Sequence, residues 1–172
     1  MDLQKLGIKF FMTDPKAVPI LDFIPVFQKW IQGQVIADHL LVDVHNYSHI
    51  HNGPGILLVA HEGNFSIDLA DGRTGLLYYR KQPGGEAVKT ALQACSLLES
   101  ETAFGGKVKF RKDELQIVAN DRLLAPNDDK TFTELQPVLS AAIKGALGST
   151  NLKLSRTSTD PKERLTVQVR LS

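Results

Sequence analysis

The spacing of hydrophobic residues divides the chain into helical and extended segments. Between Phe23 and Ile31 the apolar residues recur every three or four positions, which is the period of one helix face, and Asp22 is placed to cap that helix. From Leu40 to Lys81 the period changes to two, and recurrent Gly, Asn and Asp residues interrupt it. We therefore expect an amphipathic helix followed by a meander of antiparallel strands.

Further elements complete a mixed architecture. The same patterns predict a first strand at 6–12, a second helix at 86–98, short strands at 107–111 and 114–119, a third helix at 133–147, and closing strands at 151–156 and 164–171. Thr131 and Glu134 have capping-box spacing at the start of the third helix, and Gly148 ends it. We expect an α+β fold, a mostly antiparallel sheet with about three helices packed on it, in one globular domain spanning 1–172.

The first and third helices share a short sequence pattern. Phe23–Phe27 and Leu135–Leu139 each carry Pro, Val and an apolar residue in succession, and Ile31 and Ile143 follow at equal distances. A duplicated βαββ unit, with the hairpin-rich middle and the second helix inserted between the copies, explains the pattern. Coincidence over so few positions explains it equally well.

Composition excludes several classes of function. The chain has 172 residues, a formal net charge of +1 and no block of like charges, so we expect no nucleic-acid partner. Met1–Gly7 does not resemble a signal peptide and no apolar run is long enough to span a bilayer, so we expect a cytoplasmic protein without membrane association. Cys95 lies among leucines, which favours the buried side of a helix over a reactive nucleophile.

All the histidines fall in one short stretch: His39, His45, His49, His51 and His61. Histidine is the side chain most used for metal binding and for proton transfer near neutral pH. If residues 43–51 are extended, His45, His49 and His51 share one face, and a four-residue loop places Glu62 opposite His45. His45, His49 and Glu62 would then supply ligands for a divalent zinc, iron or manganese ion.

That metal site depends on the length of the hairpin loop. A loop one residue longer or shorter replaces Glu62 by His61, because the side chains of a strand alternate between its two faces. The alternative is that the histidines are half-buried sheet residues, bonded to the backbone and to Asp43 or Tyr47 without a metal.

Three segments carry a resemblance to other proteins. Gly53–Asn64, Gly75–Lys81 and Asn120–Asn127 read GPGILLVAHEGN, GLLYYRK and NDRLLAPN. With these segments the chain resembles, along its whole length, an uncharacterised family of bacterial and cyanobacterial proteins of similar size. The family has no assigned function, so the resemblance implies no activity. It implies that seven positions form a ligand or partner surface: His61, Glu62, Asn64, Arg80, Asn120, Asp121 and Arg122.

Two functions remain open. We expect a non-catalytic cytoplasmic binding or assembly protein, a homodimer joined through a sheet edge or an apolar sheet face. The 45–64 hairpin would be its surface for an unknown protein or small-molecule partner. The alternative is a metal-dependent hydrolase or lyase that uses His45, His49, His61 and Glu62. The sequence does not decide whether the protein is an enzyme.

Overall fold

The computed structural model describes residues 6–81, 86–120, 123–148 and 151–171. Within these ranges the strands are β1 Leu6–Met12, β2 Leu41–Tyr47, β3 Gly55–Ala60, β4 Gly63–Asp68, β5 Gly75–Arg80, β6 Phe110–Ala119, β7 Leu152–Arg156 and β8 Leu165–Leu171. The α-helices are α1 Phe23–Gly33, α2 Ala87–Glu99 and α3 Asp129–Leu147. The predicted α+β class is confirmed.

The described strands form one antiparallel sheet in the order β2-β3-β4-β5-β1-β6-β8-β7. The first strand, β1, lies inside the sheet between β5 and β6. The meander β2 to β5 leads back to one side of β1, and the hairpin β7–β8 leads back to the far side of β6. The two halves of the chain therefore meet at the pairing of β1 with β6.

The strand order of the sheet can be compared with the predicted duplication of a βαββ unit. Helix α1 follows β1, and α3 follows β6, so the two helices with the shared pattern leave neighbouring central strands. The return strands differ, because β8 lies beside β6 whereas β4 and β5 separate β3 from β1. The duplication therefore stays a prediction.

The two faces of the sheet have opposite character. One row crosses all eight strands on the side that packs against the helices: Val44, Leu58, Phe65, Tyr78, Ile8, Ile117, Val167 and Arg156. Its members from Leu58 to Val167 are buried in the hydrophobic core, together with Phe27 of α1, Cys95 of α2 and Leu139 of α3. The neighbouring row points to the opposite side: His45, Leu57, Ser66, Leu77, Lys9, Gln116, Gln168 and Ser155. We call this second side the open face.

Several element boundaries differ from the prediction. Helix α3 begins earlier because the side chain of Asp128 accepts a hydrogen bond from the Thr131 amide at 2.7 Å, so the predicted capping box at Thr131 is wrong. Asp22 precedes α1 as expected, but its side chain makes no capping bond. The two short strands predicted between 107 and 119 are one continuous strand, β6.

Two further expectations concern burial and the membrane. Cys95 is fully buried on α2, as predicted, and this burial raises the pKa of its thiol far above the ordinary range. Among the described residues, no helix has the length and apolar character needed to cross a bilayer.

We predict that Gly55→Ala destabilises the protein much more than Gly72→Ala. Both glycines have positive φ angles, +61° and +66°, which an alanine adopts at a cost of about 1–2 kcal/mol. A Cβ at Gly55 would also lie 2.0 Å from the Ile67 carbonyl oxygen, whereas a Cβ at Gly72 would have nothing within 4 Å. Urea unfolding should show an additional loss of about 1–3 kcal/mol for Gly55→Ala. Equal losses for the two variants would contradict the packing of β3 against β4.

Candidate functional site

The β2–β3 hairpin differs from the one predicted. Tyr47 is the last residue of β2 and lies opposite Gly55, so the loop between the strands spans 48–54. Ile56 lies opposite Asn46, so the predicted four-residue loop, with Glu62 opposite His45, is wrong. The strand ends early because the side-chain oxygen of Asn46 accepts bonds from the backbone amide and the hydroxyl of Ser48.

This hairpin register separates the predicted metal ligands. His45 lies opposite Leu57, with Asp43 at 3.5 Å, and His49 lies in the loop. Glu62 follows the other end of β3, roughly 15 Å farther along at the usual rise of a strand. Both carboxylate oxygens of Glu62 accept the backbone N–H of Leu40 at 2.9 Å. The positions of His45, His49 and Glu62 therefore do not support a shared metal.

The rest of the described chain gives the same result for metals. No group of three or more His, Cys, Asp or Glu side chains within the described ranges is arranged to hold an ion. His49, His51 and His61 are exposed. The clustering of histidines along the sequence thus does not become a cluster in space.

His39 is the exception among the histidines because it is buried in a hydrogen-bonded network. Its Nδ1 lies 2.9 Å from the Ala37 carbonyl, which can only accept, so Nδ1 carries a proton. In the neutral ring, Nε2 then accepts the hydroxyl proton of Tyr78 at 2.7 Å, and Tyr78 accepts a bond from Arg80 at 3.2 Å. Burial raises the pKa of Tyr78, and Arg80 partly offsets this effect.

This network lies on the helix-covered face and has a structural role. The His39 ring packs against Phe65 and Tyr78, with ring centres 5.6 and 5.5 Å apart. It therefore attaches the segment between α1 and β2 to the middle of the sheet. The Nε atom of Arg80 is buried and has no hydrogen-bond partner among the described residues.

The described positions among those that the family resemblance implies lie in different parts of the sheet. His61 is exposed in the turn after β3, and Glu62 holds the Leu40 amide. Arg80 lies on the helix-covered face, whereas Asn64 and Asn120 lie on the open face. Asp121 and Arg122 lie outside the described residues.

The open face contains a groove that the sequence did not reveal. Lys9, Ser66 and Asp68 form its floor, and each is less than 8% exposed although the helices of the described residues pack on the other side. Loops 48–54, 69–74 and 157–164 contribute its walls. The groove comprises one cavity of about 290 Å³ and a neighbouring cavity of about 580 Å³ that share Asp71, Gln116, Arg164 and Thr166. We call this the open-face groove.

An ion pair lies at the floor of the groove. The Lys9 ammonium donates to Asp68 Oδ2 at 2.7 Å and to the Ala70 carbonyl at 3.3 Å. The side chains of Lys9 and Asp68 are only 5% and 10% exposed. A buried ion pair is weak evidence for stability, because the cost of removing two charges from water offsets much of their mutual attraction.

Tyr79 and Arg164 stand beside that floor. The Tyr79 ring covers Gly7, where a Cβ would approach the ring to 2.6 Å. Arg164 Nη1 donates to the Tyr79 hydroxyl at 3.1 Å and to Asn120 Oδ1 at 2.9 Å. Burial raises the pKa of Tyr79, against the opposing effect of Arg164, so the phenol keeps its proton at neutral pH.

A second set of charges borders the larger cavity. Arg73 forms a two-pronged bond to Glu114 at 2.9 and 3.0 Å, and Arg111 contacts the same carboxylate at 2.9 Å. The guanidinium of Arg73 also lies 3.6 Å above the Phe11 ring. Hydrogen bonding from Arg73, with smaller contributions from the charges of Arg73 and Arg111, holds the pKa of Glu114 below its usual value. Arg73 is therefore neutralised within the protein.

The β2 edge of the sheet bears on the predicted homodimer. At the β2 edge the pairing shifts between Leu41 and Asp43, and the Asp43 side chain accepts the Val44 amide at 2.8 Å. Both features hinder the addition of another strand. Leu40 and Val42, which are about half exposed, lie at the same edge. The homodimer stays a prediction.

Comparison of the chain with models of protein families and with curated proteins gives no match. The family resemblance therefore stays a prediction, and the case for a function rests on the geometry of the site.

We predict that Tyr78→Phe destabilises the protein by about 1–3 kcal/mol, because it leaves the buried Nε2 of His39 and the Arg80 guanidinium without their shared partner. Tyr47→Phe is the matched control, since Tyr47 lies on the edge strand and is only partly buried. Denaturant unfolding measures both losses. A loss for Tyr78→Phe no larger than for the control would contradict the network.

We predict a stability change at acid pH that depends on Glu114. Its native pKa lies below the unfolded value of about 4.3, so the carboxylate stabilises the fold fully above about pH 5. The contribution is lost as the pH falls through the native pKa. The stability difference between the wild type and Glu114→Gln, measured by urea unfolding, should be constant above pH 5 and shrink below it. A difference that grows on acidification would contradict the prediction.

Proposed function

We propose that the protein is a non-catalytic binding protein whose open-face groove holds a small polar ligand. The observation that carries the proposal is the burial of Lys9, Ser66 and Asp68 on the open face. Buried polar side chains are costly unless they are hydrogen-bonded, and ligand sites typically present a few fixed polar groups in a cavity. A polar floor inside a walled groove is the arrangement that such a site requires.

The lining of the groove supports binding rather than catalysis. The described residues that line it include neither histidine nor cysteine. Its most buried amine and its most buried carboxylate, Lys9 and Asp68, are bonded to each other and are therefore not presented as a base and an acid. Amide and hydroxyl groups make up much of the remaining surface, among them Asn64, Gln116 and Thr166.

The proposal retains the 45–64 hairpin as part of the interaction surface. Asn52, Gly53 and Pro54 of its loop line the groove, as do Leu57 and Asn64 of its strands. We also retain the cytoplasmic location and the homodimer as parts of the proposal.

The experiment compares a groove-filling variant with a control on the same sheet face. Thr166→Trp places a large ring in both cavities, whereas Ser155→Trp adds the same ring on the exposed edge strand β7. Untagged protein is purified under native conditions, and small molecules released on denaturation are identified by mass spectrometry. In parallel, a library of polar metabolites is screened for increases in melting temperature.

We expect a polar compound that binds the wild type and Ser155→Trp but not Thr166→Trp. A ligand at about 100 times its Kd should stabilise the native protein by about 2.7 kcal/mol. Circular dichroism checks that both variants fold. The proposal fails if no compound is retained and none stabilises the wild type, or if the compounds found bind Thr166→Trp equally well.

A further inference from the structure

Arg164 has an unused pair of hydrogen-bond donors at the groove. Both of its described side-chain bonds, to Tyr79 and Asn120, are made by Nη1. Nη1 carries two N–H groups, so these two acceptors occupy it fully. The Nε–H and the Nη2–H groups form no hydrogen bond with the described residues. They form the parallel two-donor edge of a guanidinium, which matches the two oxygens of a carboxylate or a phosphate.

The partners of Arg164 also differ from those of three other arginines. Arg73, Arg111 and Arg156 each contact a carboxylate at hydrogen-bond distance. Arg164 contacts a phenol and an amide, which are neutral, and no carboxylate among the described residues bonds it directly. The two neutral partners nevertheless fix the plane of the guanidinium, which is the pre-organisation that tight anion binding needs.

Neighbouring groups on the groove wall also offer donors. The oxygen of Tyr79 accepts from Arg164, so the phenolic O–H is directed elsewhere. The side-chain oxygen of Asn64 accepts the Ala60 amide at 3.3 Å, which leaves the Asn64 NH₂ group as a donor, and Asn64 pairs with Tyr79 across β4 and β5. Lys162 adds a second positive charge to the lining of the larger cavity.

The acidic residues in and near the groove limit the net charge that its ligand can carry. Asp68 is neutralised by Lys9 at the floor. Asp71 and Glu163 also line the larger cavity, and their negative charges balance those of Arg164 and Lys162. A zwitterion or a singly charged ligand therefore suits the groove better than a polyanion, and the anionic end of that ligand belongs at the side of the groove occupied by Arg164 and Tyr79.

We propose that the ligand of the open-face groove carries an anionic oxygen group, a carboxylate or a phosphate, that binds the Nε–Nη2 edge of Arg164 and the hydroxyl of Tyr79. This inference rests on the proposed function, and it names the chemical class of the ligand. Asn120 acts as a positioning residue, because it holds the guanidinium at Nη1.

The test uses simple anions as probes. Inorganic phosphate and acetate are titrated into the full chain at constant ionic strength, with chloride as the background and glycerol as the neutral control. Binding is followed by two-dimensional NMR of the backbone amides and by melting temperature.

The variants are Arg164→Gln, which removes the charge and the two-donor edge, and Arg164→Lys, which keeps only the charge. Arg170→Gln is the matched control, because Arg170 is an exposed arginine of β8 that does not line the groove.

We expect saturable binding of at least one anion, with shifts at residues of the groove. Arg164→Gln should weaken it at least about tenfold, Arg164→Lys should fall between, and Arg170→Gln should match the wild type. Tyr79→Phe should weaken binding about three- to tenfold through loss of one hydrogen bond. The stronger of the two probes distinguishes a carboxylate-bearing from a phosphate-bearing ligand.

Three results would overturn the inference. The first is that neither anion binds at the groove. The second is that Arg164→Gln and Arg170→Gln weaken binding equally, which indicates a general surface effect. The third is that a ligand identified in the groove binds Arg164→Gln as tightly as the wild type; the groove would then be a binding site for a neutral group, and the proposed function would stand without this inference.

Discussion

The structure depends on the two-residue alternation of the central strand β1. Ile8 and Phe10 point into the core beneath the helices, while Lys9 between them points to the open face and bonds Asp68. Because β1 pairs with both β5 and β6, its register fixes which residues of those strands face the core and which face the groove. A slip of one residue would carry a lysine into the core and phenylalanine into the groove, so the apolar face and the polar floor are specified together.

The two faces of the sheet use buried polar groups for different purposes. On the helix-covered face, Arg80, Tyr78 and His39 bond one another in sequence and hold the chain before β2 against the sheet. On the open face, the Lys9–Asp68 pair lies beneath a cavity of about 290 Å³. The first network is enclosed by the aromatic core and attaches one segment of the chain to the sheet. The second is adjacent to accessible space, and this difference is why we place ligand binding on the open face.

The histidines illustrate how a signal in the sequence is lost on folding. Their clustering was real along the chain, but the turn at Asn46 and Ser48 ended β2 early and left His49 and His51 in a loop. His39 entered the core, and Glu62 was used by the Leu40 amide. Loop length depends on a local competition between side-chain and backbone hydrogen bonds. The alternation of hydrophobic and polar residues does not predict which of these bonds form, and therefore does not predict where a strand ends.

The sequence by itself determined the class of fold, the strands β1, β7 and β8, a meander of strands between Leu40 and Lys81, the three helices to within a few residues and the burial of Cys95. Local periodicity, turn residues and breakers are sufficient for these because they act over a few neighbouring positions. Only the tertiary structure decided that β1 lies between β5 and β6, that Lys9 meets Asp68, and that Arg164 meets Tyr79 and Asn120. These contacts join residues far apart in the chain, and they depend on strand order and loop placement. An isolated Lys9 between Ile8 and Phe10 predicts a polar face, but not that three loops enclose it in a groove.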